Sequence, residues 1–453
     1  MINYDMIVIG AGPAAIAAMS AVPKGARVAV ITGAVPSVVK PSSLHPKIRA
    51  ESSTRNEPAG VAEVLNDFKG GVPLFATAAA GGLTNYWGQQ FKAANVNDPW
   101  PRDIFESHAD YLSECRQLDE LFQIIGGHPV RSAIATSDGF SVSAPRLLLS
   151  SSSDPSGTSG EMKGLFYEIA NRMKFDIFEQ RTRSLVKDGK LWGAVLGDGT
   201  KLNGVKIVLA GGVVGDAQIL LRSFPDVQKA TFRDHTPWML YTLGLKGMPR
   251  TGSAAEPHFN QITLEQNIDG RAAVFASIYN MRYADLNLLF ASTIGFTSRI
   301  LGAIRAPAAA ALLKPIQVWT DTASDLVSVN RVGEALEYAA SMPQSPPGSD
   351  TGFVAIRRLI ESNRGRILSV SRTRPGYGFH YYALHLSCAN AAPALVSDFL
   401  NARTDSSVIC VDAGALDRIG CLPPTLTAMA CARRLTKLNF QPWPVGAGAD
   451  LAD

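Results

Sequence analysis

Tyr4-Asp5-Met6-Ile7-Val8-Ile9-Gly10-Ala11-Gly12-Pro13-Ala14-Ala15 is the stretch that decides the fold. The run up to Ile9 is short, apolar and closed by a glycine, the pattern of a strand buried on both faces of a parallel sheet. Gly10 permits a tight bend, Gly12 lets backbone approach a phosphate, and the small Ala15 lets the next helix lie close on the strand. That Ala-rich helix runs to about Ala21, and a second buried strand is expected at Arg27–Thr32. The result is a βαβ unit whose helix N-terminus offers N–H donors and a partial positive charge to an anion. Glycines also serve plain turns, so the dinucleotide reading rests on their place between strand and helix. An acidic residue to hold ribose hydroxyls is missing from the end of the second strand. Thr32 stands there and offers a hydroxyl without charge assistance.

Further along, residues 36–60 are rich in Pro and Ser and read as irregular. Residues 101–125 carry apolar positions at helical spacing, and Glu161–Met173 reads as a helix after a Ser/Gly/Pro loop at Ser150–Gly160. Strands are expected at Phe175–Glu179, Arg183–Lys187, Leu191–Leu196 and Lys206–Leu209, with Asp188-Gly189 and Asp198-Gly199 as turns. Residues 226–375 alternate strand patterns with an apolar stretch from Leu286 to Leu313. That stretch reads as a core or lid helix pair, with an apolar substrate entrance or a lipid-resting surface as sharper alternatives. Arg299 and Arg305 make no basic face, so membrane contact is not expected. A last strand at 407–412 and a helix at Thr425–Leu438 complete the pattern.

The chain has 453 residues, enough for two or three domains at roughly 150 residues each. Only 18% of them are charged while 46% are hydrophobic, which excludes a disordered chain. A net charge of +4 is too mild for a nucleic-acid partner. The five cysteines (115, 388, 410, 421 and 431) have no metal or disulfide spacing, so neither a metal site nor a disulfide framework is expected, and a cytoplasmic location is. The stretches Met6–Pro23 and Gly70–Phe91 are uncharged but broken by Gly and Pro. They read as neither membrane span nor signal peptide.

Three more segments carry a resemblance. Gly81-Gly82-Leu83-Thr84-Asn85-Tyr86-Trp87-Gly88 resembles the flavin-contacting loop of the glucose–methanol–choline oxidoreductases. Ala210-Gly211-Gly212-Val213-Val214-Gly215-Asp216-Ala217-Gln218-Ile219-Leu220-Leu221 resembles their AGG…SPQLLL segment. Val411-Asp412-Ala413-Gly414, followed by Pro424-Thr425-Leu426-Thr427-Ala428-Met429, resembles their C-terminal flavin motif. With the first βα turn, these blocks lie in family order from residue 4 to about 438. The resemblance implies an α/β fold: a Rossmann-like FAD-binding domain with a second α+β substrate domain built on an antiparallel sheet. The FAD domain is expected at 1–225 and 376–453, and the substrate domain at 226–375.

The resemblance also implies which residues meet the cofactor: Gly10, Gly12, Ala15, Thr32, Gly82, Asn85, Tyr86, Trp87, Asp412, Ala413, Thr425 and Leu426. Asp412 would lie near the ribityl–pyrophosphate part. The helix start at Thr425–Leu426 would face the flavin's pyrimidine edge, where a helix N-terminus suits the negative charge of a reduced flavin. In pyranose oxidases, whose loop looks most similar, a His precedes the Trp and bonds the flavin covalently. Tyr86 takes that place here, so the FAD is expected to be non-covalent.

Oxidising an alcohol by hydride transfer to flavin N5 needs a group that takes the hydroxyl proton. The family uses a His for this, and His380 in Gly378-Phe379-His380-Tyr381-Tyr382-Ala383-Leu384-His385 matches it, with His385 as a second His. A hydrogen-bonded core histidine is the plainer alternative for His380. Asp234-His235 resembles a structural turn between the two domains. Pro423 stands where the family carries a His or Asn, and it can neither donate nor accept. The implied activity is oxidation of a CH–OH group of a sugar, glycoside or other alcohol, with oxygen or another acceptor reoxidising the flavin. Pro423 keeps a flavin-dependent lyase or isomerase open, and Thr32 with Pro423 a non-catalytic flavoprotein.

Overall fold

A computed structural model describes residues 3–33, 68–69, 74, 76–86, 90–127, 129, 134, 139–148, 161–246, 260–279, 313–321, 325–333, 335–341, 350–373, 376, 380–389 and 391–440. The segments 36–60 and Ser150–Gly160, Trp87, and Leu286–Leu313 up to its last residue lie outside them.

The fold is mixed α/β. The apolar N-terminal run forms the strand Asn3–Ile9, and the helix Pro13–Ser20 follows it with Gly12 at its cap and Pro13 at its first turn, where a missing N–H costs nothing. Asn3–Ile9 is central in a parallel layer. Val28–Thr32 and then Asp176–Glu179 lie on one side, and Lys201–Leu209 and Val408–Cys410 on the other. Lys201–Leu209 is longer than the expected Lys206–Leu209 because its first half pairs with the antiparallel hairpin Thr182–Asp188 and Leu191–Leu196. The turns of that region use Gly189 and Gly199, both in left-handed conformation.

Helices cover this sheet. Pro13–Ser20 packs along Thr425–Asn439, and Ala15 to Met19 are wholly buried between helix and strand. The helix expected in 101–125 spans His108–Leu121, starting where the Ser107 hydroxyl accepts from the Asp110 N–H.

The other two large sheets come mainly from the second half of the chain. One runs in the order Ala394–Leu395, Tyr381–Cys388, Val227–Asp234, Asp325–Val332, Ala335–Ser341 and Phe68–Lys69. The other is wholly antiparallel: Arg366–Arg372, Trp238–Leu243, Leu313–Thr320, Arg271–Tyr279, Asn260–Ile268 and Phe140–Ser143. Its two faces alternate by strand geometry. Ile316, Val318, Val274, Ala276 and Ile278 pack under the helix Thr351–Ser362, while Gln317, Trp319, Phe275, Ser277 and Tyr279 take the opposite face. Trp319 and Phe275 there join Cys421 and Leu422, just ahead of the helix at Thr425, so the sheet is docked face-on toward that helix start.

Candidate active site

The parallel strands end together. Ile9 is in register with Ile31 and Leu209, and Leu209 with Cys410, so the turns after them converge at one rim. Strand order reverses between Asn3–Ile9 and Lys201–Leu209, which is where open parallel sheets bind ligands. Gly10 has φ +119°, and a Cβ there would run into the Ala210 carbonyl, so only glycine closes this turn. Gly12 differs: among the described residues, apart from its own chain neighbours, nothing lies within 4 Å of the place a Cβ would take.

The 79–82 loop closes over the turn. The Gly81 N–H donates to the Ala11 carbonyl at 2.8 Å, and a Cβ on Gly82 would sit 3.2 Å from the Gly12 Cα. The five residues Gly82–Tyr86 form a 3₁₀ turn that carries the backbone of Asn85 and Tyr86. Thr32 is buried at the end of its strand, with its hydroxyl 3.4 Å from the carbonyls of Gly33 and Ala78.

Asp412 caps the turn Ala413–Ala415, its Oδ1 accepting from the Gly414 N–H at 2.8 Å. Among the described residues its other oxygen is buried with no hydrogen-bond partner. Beside it lie Cys410, 3.5 Å from Asp412 Oδ1, and Asp216, 3.7 Å from the Cys410 sulfur. Asp216 Oδ1 also accepts from the Gly211 N–H at 3.1 Å. Burial raises all three above their usual pKa values, and the adjoining charges push Asp216 and Cys410 further. Of the two acids Asp216 is pushed up the harder, because it is buried and faces the Asp412 carboxylate. Asp216, Cys410 and Asp412 are close enough to share a metal ion. Without an ion the cluster is a buried acid pair with a thiol. Its signal in sequence was an Asp in the AGG…SPQLLL-like segment.

Thr425 and Leu426 open the helix Thr425–Asn439 after Pro424. Thr427, one turn in, exchanges a 2.8 Å hydrogen bond with the Tyr111 hydroxyl. His380 begins the next part of the site, one residue ahead of the strand Tyr381–Cys388. Its ring stacks on the Trp319 indole with centroids 4.8 Å apart and planes 12° apart. The His235 ring is 6.4 Å away, and the His235 N–H donates to the His380 carbonyl at 3.2 Å. His235 itself is neutral: burial lowers its pKa to about 4, and its Nε2 lies 2.8 Å from the Thr320 carbonyl.

His385 lies farther along the same strand, beyond a bulge in which Ala383 takes φ +54°. Its Nδ1 donates to the Ala383 carbonyl at 2.9 Å, so in a neutral ring Nε2 is the atom that accepts. The site therefore has two parts, a glycine-lined rim with the buried acid pair, and an aromatic wall at His380. Trp319 was not legible as a site residue because an isolated Trp in a strand pattern looks like core.

These features define a two-part α/β fold with a dinucleotide-type turn facing an antiparallel sheet. No protein-family model matches the sequence, and no curated protein matches it. Among solved structures the chain is similar to pyridoxine 4-oxidase from Mesorbium loti, with a TM-score of 0.59 and 15% identity over 96% of this chain and 99% of that one. The two share the fold. Among the described residues no helix is long and apolar enough to cross a membrane.

Proposed function

We propose that the protein is a glucose–methanol–choline-type oxidoreductase that binds FAD non-covalently and oxidises a CH–OH group of a small alcohol. The observation that carries this is the rim where the Gly10–Gly12 turn, the 79–82 loop and Asp412 meet. The residues suit the cofactor. Gly12 opens onto free space, and Asp412 Oδ2 is a buried oxygen that still needs a hydrogen-bond donor, such as a ribityl hydroxyl. Gly10, Gly12 and Gly82 would hold the pyrophosphate by backbone, Asp412 and Ala413 the ribityl chain, and the helix start at Thr425–Leu426 the pyrimidine edge. Asn85, Tyr86 and Trp87 would complete the loop side.

FAD, when bound, supplies the two-electron acceptor for the alcohol's carbon-bound hydrogen. His380 would take the hydroxyl proton as that bond breaks, held flat by Trp319 so that its ring edge stays on the substrate oxygen. His385 would accept through Nε2 on the same strand. The neighbour acts as an oxidase on pyridoxine by its name, and the loop around Tyr86 looks like that of pyranose oxidases. An aromatic alcohol and a carbohydrate or glycoside are therefore the substrate classes to try, with oxygen as the first acceptor.

The test has two stages. The visible spectrum of the purified protein should show bound flavin that acid precipitation releases into the supernatant. A colourless protein would sink the proposal, and a yellow pellet would sink non-covalent binding. A panel of pyridoxine, benzylic alcohols and pyranoses should then bleach the flavin without oxygen. Conversion of a compound without lasting bleaching would move the protein to the lyases or isomerases.

A further inference from the structure

Two side chains on the inner face of the antiparallel sheet have polar atoms with nothing to bind. Trp319 is 5% exposed and Gln317 3% exposed. Among the described residues, neither the indole Nε1 of Trp319 nor the amide Nε2 of Gln317 has a hydrogen-bond partner. A buried donor left unpaired costs about 1–3 kcal/mol, so two on one strand call for an explanation. Both residues sit on the face away from the helix Thr351–Ser362, two positions apart and so about 7 Å along the strand.

The surroundings say what would satisfy them. Trp319 lies against His380 and joins Leu422, next to Pro423. Pro423 cannot hold a substrate oxygen, whereas the indole stacked on the proposed base carries an unpaired N–H. Gln317 is held by Tyr279, whose hydroxyl donates to Gln317 Oε1 at 2.6 Å, so its acceptor is satisfied and its N–H group is not. Ser277 lies directly across from Gln317 in register, but the Gln90 amide already occupies Ser277 and Thr263 at 3.0 Å each. The Glu265 carboxylate on this face is paired with Lys92 at 2.7 Å and accepts from Asn267 at 3.0 Å. The buried Asp98 carboxylate, behind Ala272, accepts from the N–H groups of Ala272 at 2.8 Å and Asn95 at 2.7 Å. The wall therefore presents two neutral donors, and its acids are held by Lys92 and by backbone.

We infer that Trp319 and Gln317 are a two-point reader of the substrate: Trp319 donates to the reacting oxygen beside His380, and Gln317 donates to a second acceptor across the molecule. The ligand class is a neutral, flat alcohol with a hydroxyl, carbonyl or ring nitrogen on its far side. A carboxylate or phosphate substrate finds on this wall, among the described residues, only a lysine already paired with Glu265. This rests on the alcohol oxidation proposed above, and it assigns to an indole the anchoring contact that Pro423 cannot make.

The test uses probes that no hydride transfer can consume. Isonicotinamide carries a carbonyl oxygen and a ring nitrogen at opposite ends, and benzamide has the same shape without the nitrogen. Holoprotein with nitrogen-15 indole labels should show signals from six tryptophans, and the Trp319 signal is the one lost in Trp319→Phe, which keeps an aromatic ring for the stack. Both probes should move the Trp319 signal downfield. Isonicotinamide should bind at least about tenfold tighter, because benzamide leaves the Gln317 donor unpaired. Gln317→Glu, which swaps donor for acceptor at constant shape, should erase that difference while the Trp319 shift remains. A Trp319 signal that stays in place up to the solubility of both probes, or equal affinities in the unaltered protein, would overturn the inference. A flavin-free protein would instead sink the oxidation reading, and the titration of the same sample would still report on the two donors.

Discussion

The imidazole of His380 lies flat on the indole of Trp319, 12° from parallel, and its backbone carbonyl accepts from His235. A ring held on one face and by its own main chain has little freedom left, which is what proton transfer at a fixed distance requires. Replacing His380 by Ala should slow flavin reduction by the alcohol found in the panel by about 10²–10⁴-fold. Stopped-flow absorbance without oxygen measures it. Substrate affinity should change far less, because the Trp319 and Gln317 donors remain. Turnover near that of the unaltered protein would remove His380 from the chemistry.

Asp350 ties the helix Thr351–Ser362 to the sheet beneath it. Oδ1 accepts from the Phe353 N–H at 3.0 Å as the helix cap, and Oδ2 accepts from the Thr320 hydroxyl at 2.6 Å and the Trp238 indole at 3.2 Å. Asp350→Ala removes a cap worth about 1 kcal/mol and two buried hydrogen bonds to a carboxylate, about 1.5–3 kcal/mol each. A loss of about 3 kcal/mol or more is expected in urea unfolding. Asp350→Asn should recover part of it, since the amide oxygen can still accept.

The Asp216–Asp412 pair gives the apoprotein a pH dependence of definite sign. Burial raises both pKa values above the unfolded value of 3.8, so the folded state holds protons that the unfolded chain has released. That contribution is fully present below the unfolded pKa and is lost as pH rises through the folded values. Asp216→Asn keeps a donor toward Asp412 and cannot ionise. Thermal unfolding of apoprotein from pH 4 to pH 8 should therefore fall less steeply for the variant. Parallel curves would show that the pair does not carry this pH dependence.

The parts of the fold readable from sequence are those where one residue type has one physical reason to be present. Gly10 marks the first turn because a side chain is excluded there, and the strands around it read as apolar runs because both faces are covered. The residual opacity has an equally physical source. Phe140–Ser143 joins the antiparallel sheet from a distant part of the chain, and a short edge strand carries no pattern of its own partner. Trp319 and Gln317 alternate with Ile316 and Val318 as any half-buried strand would, and only their unpaired donors separate them from packing residues. The low charge is legible in outline, because the rim needs backbone in place of charged side chains. The one acid pair buried there appears only once Asp216 and Asp412, far apart in sequence, are brought together.

Gly10 and Gly12 are two residues apart and should fail in different ways. Gly10 sits at φ +119° with the Ala210 carbonyl where a side chain would go, so Gly10→Ala combines backbone strain of about 1–3 kcal/mol with a clash against main chain. The protein should be markedly less stable with or without flavin. Gly12 has an ordinary φ of −82° and open space in front of it, so Gly12→Ala should leave the melting temperature of the apoprotein within about a degree or two, the effect of a few tenths of a kcal/mol. Its methyl group would instead stand in the space through which a pyrophosphate must approach the helix N-terminus. Flavin content after purification, and the flavin concentration needed to restore it, separate the two cases. A Gly12→Ala protein that keeps its full flavin would mean that the cofactor does not lie against this turn.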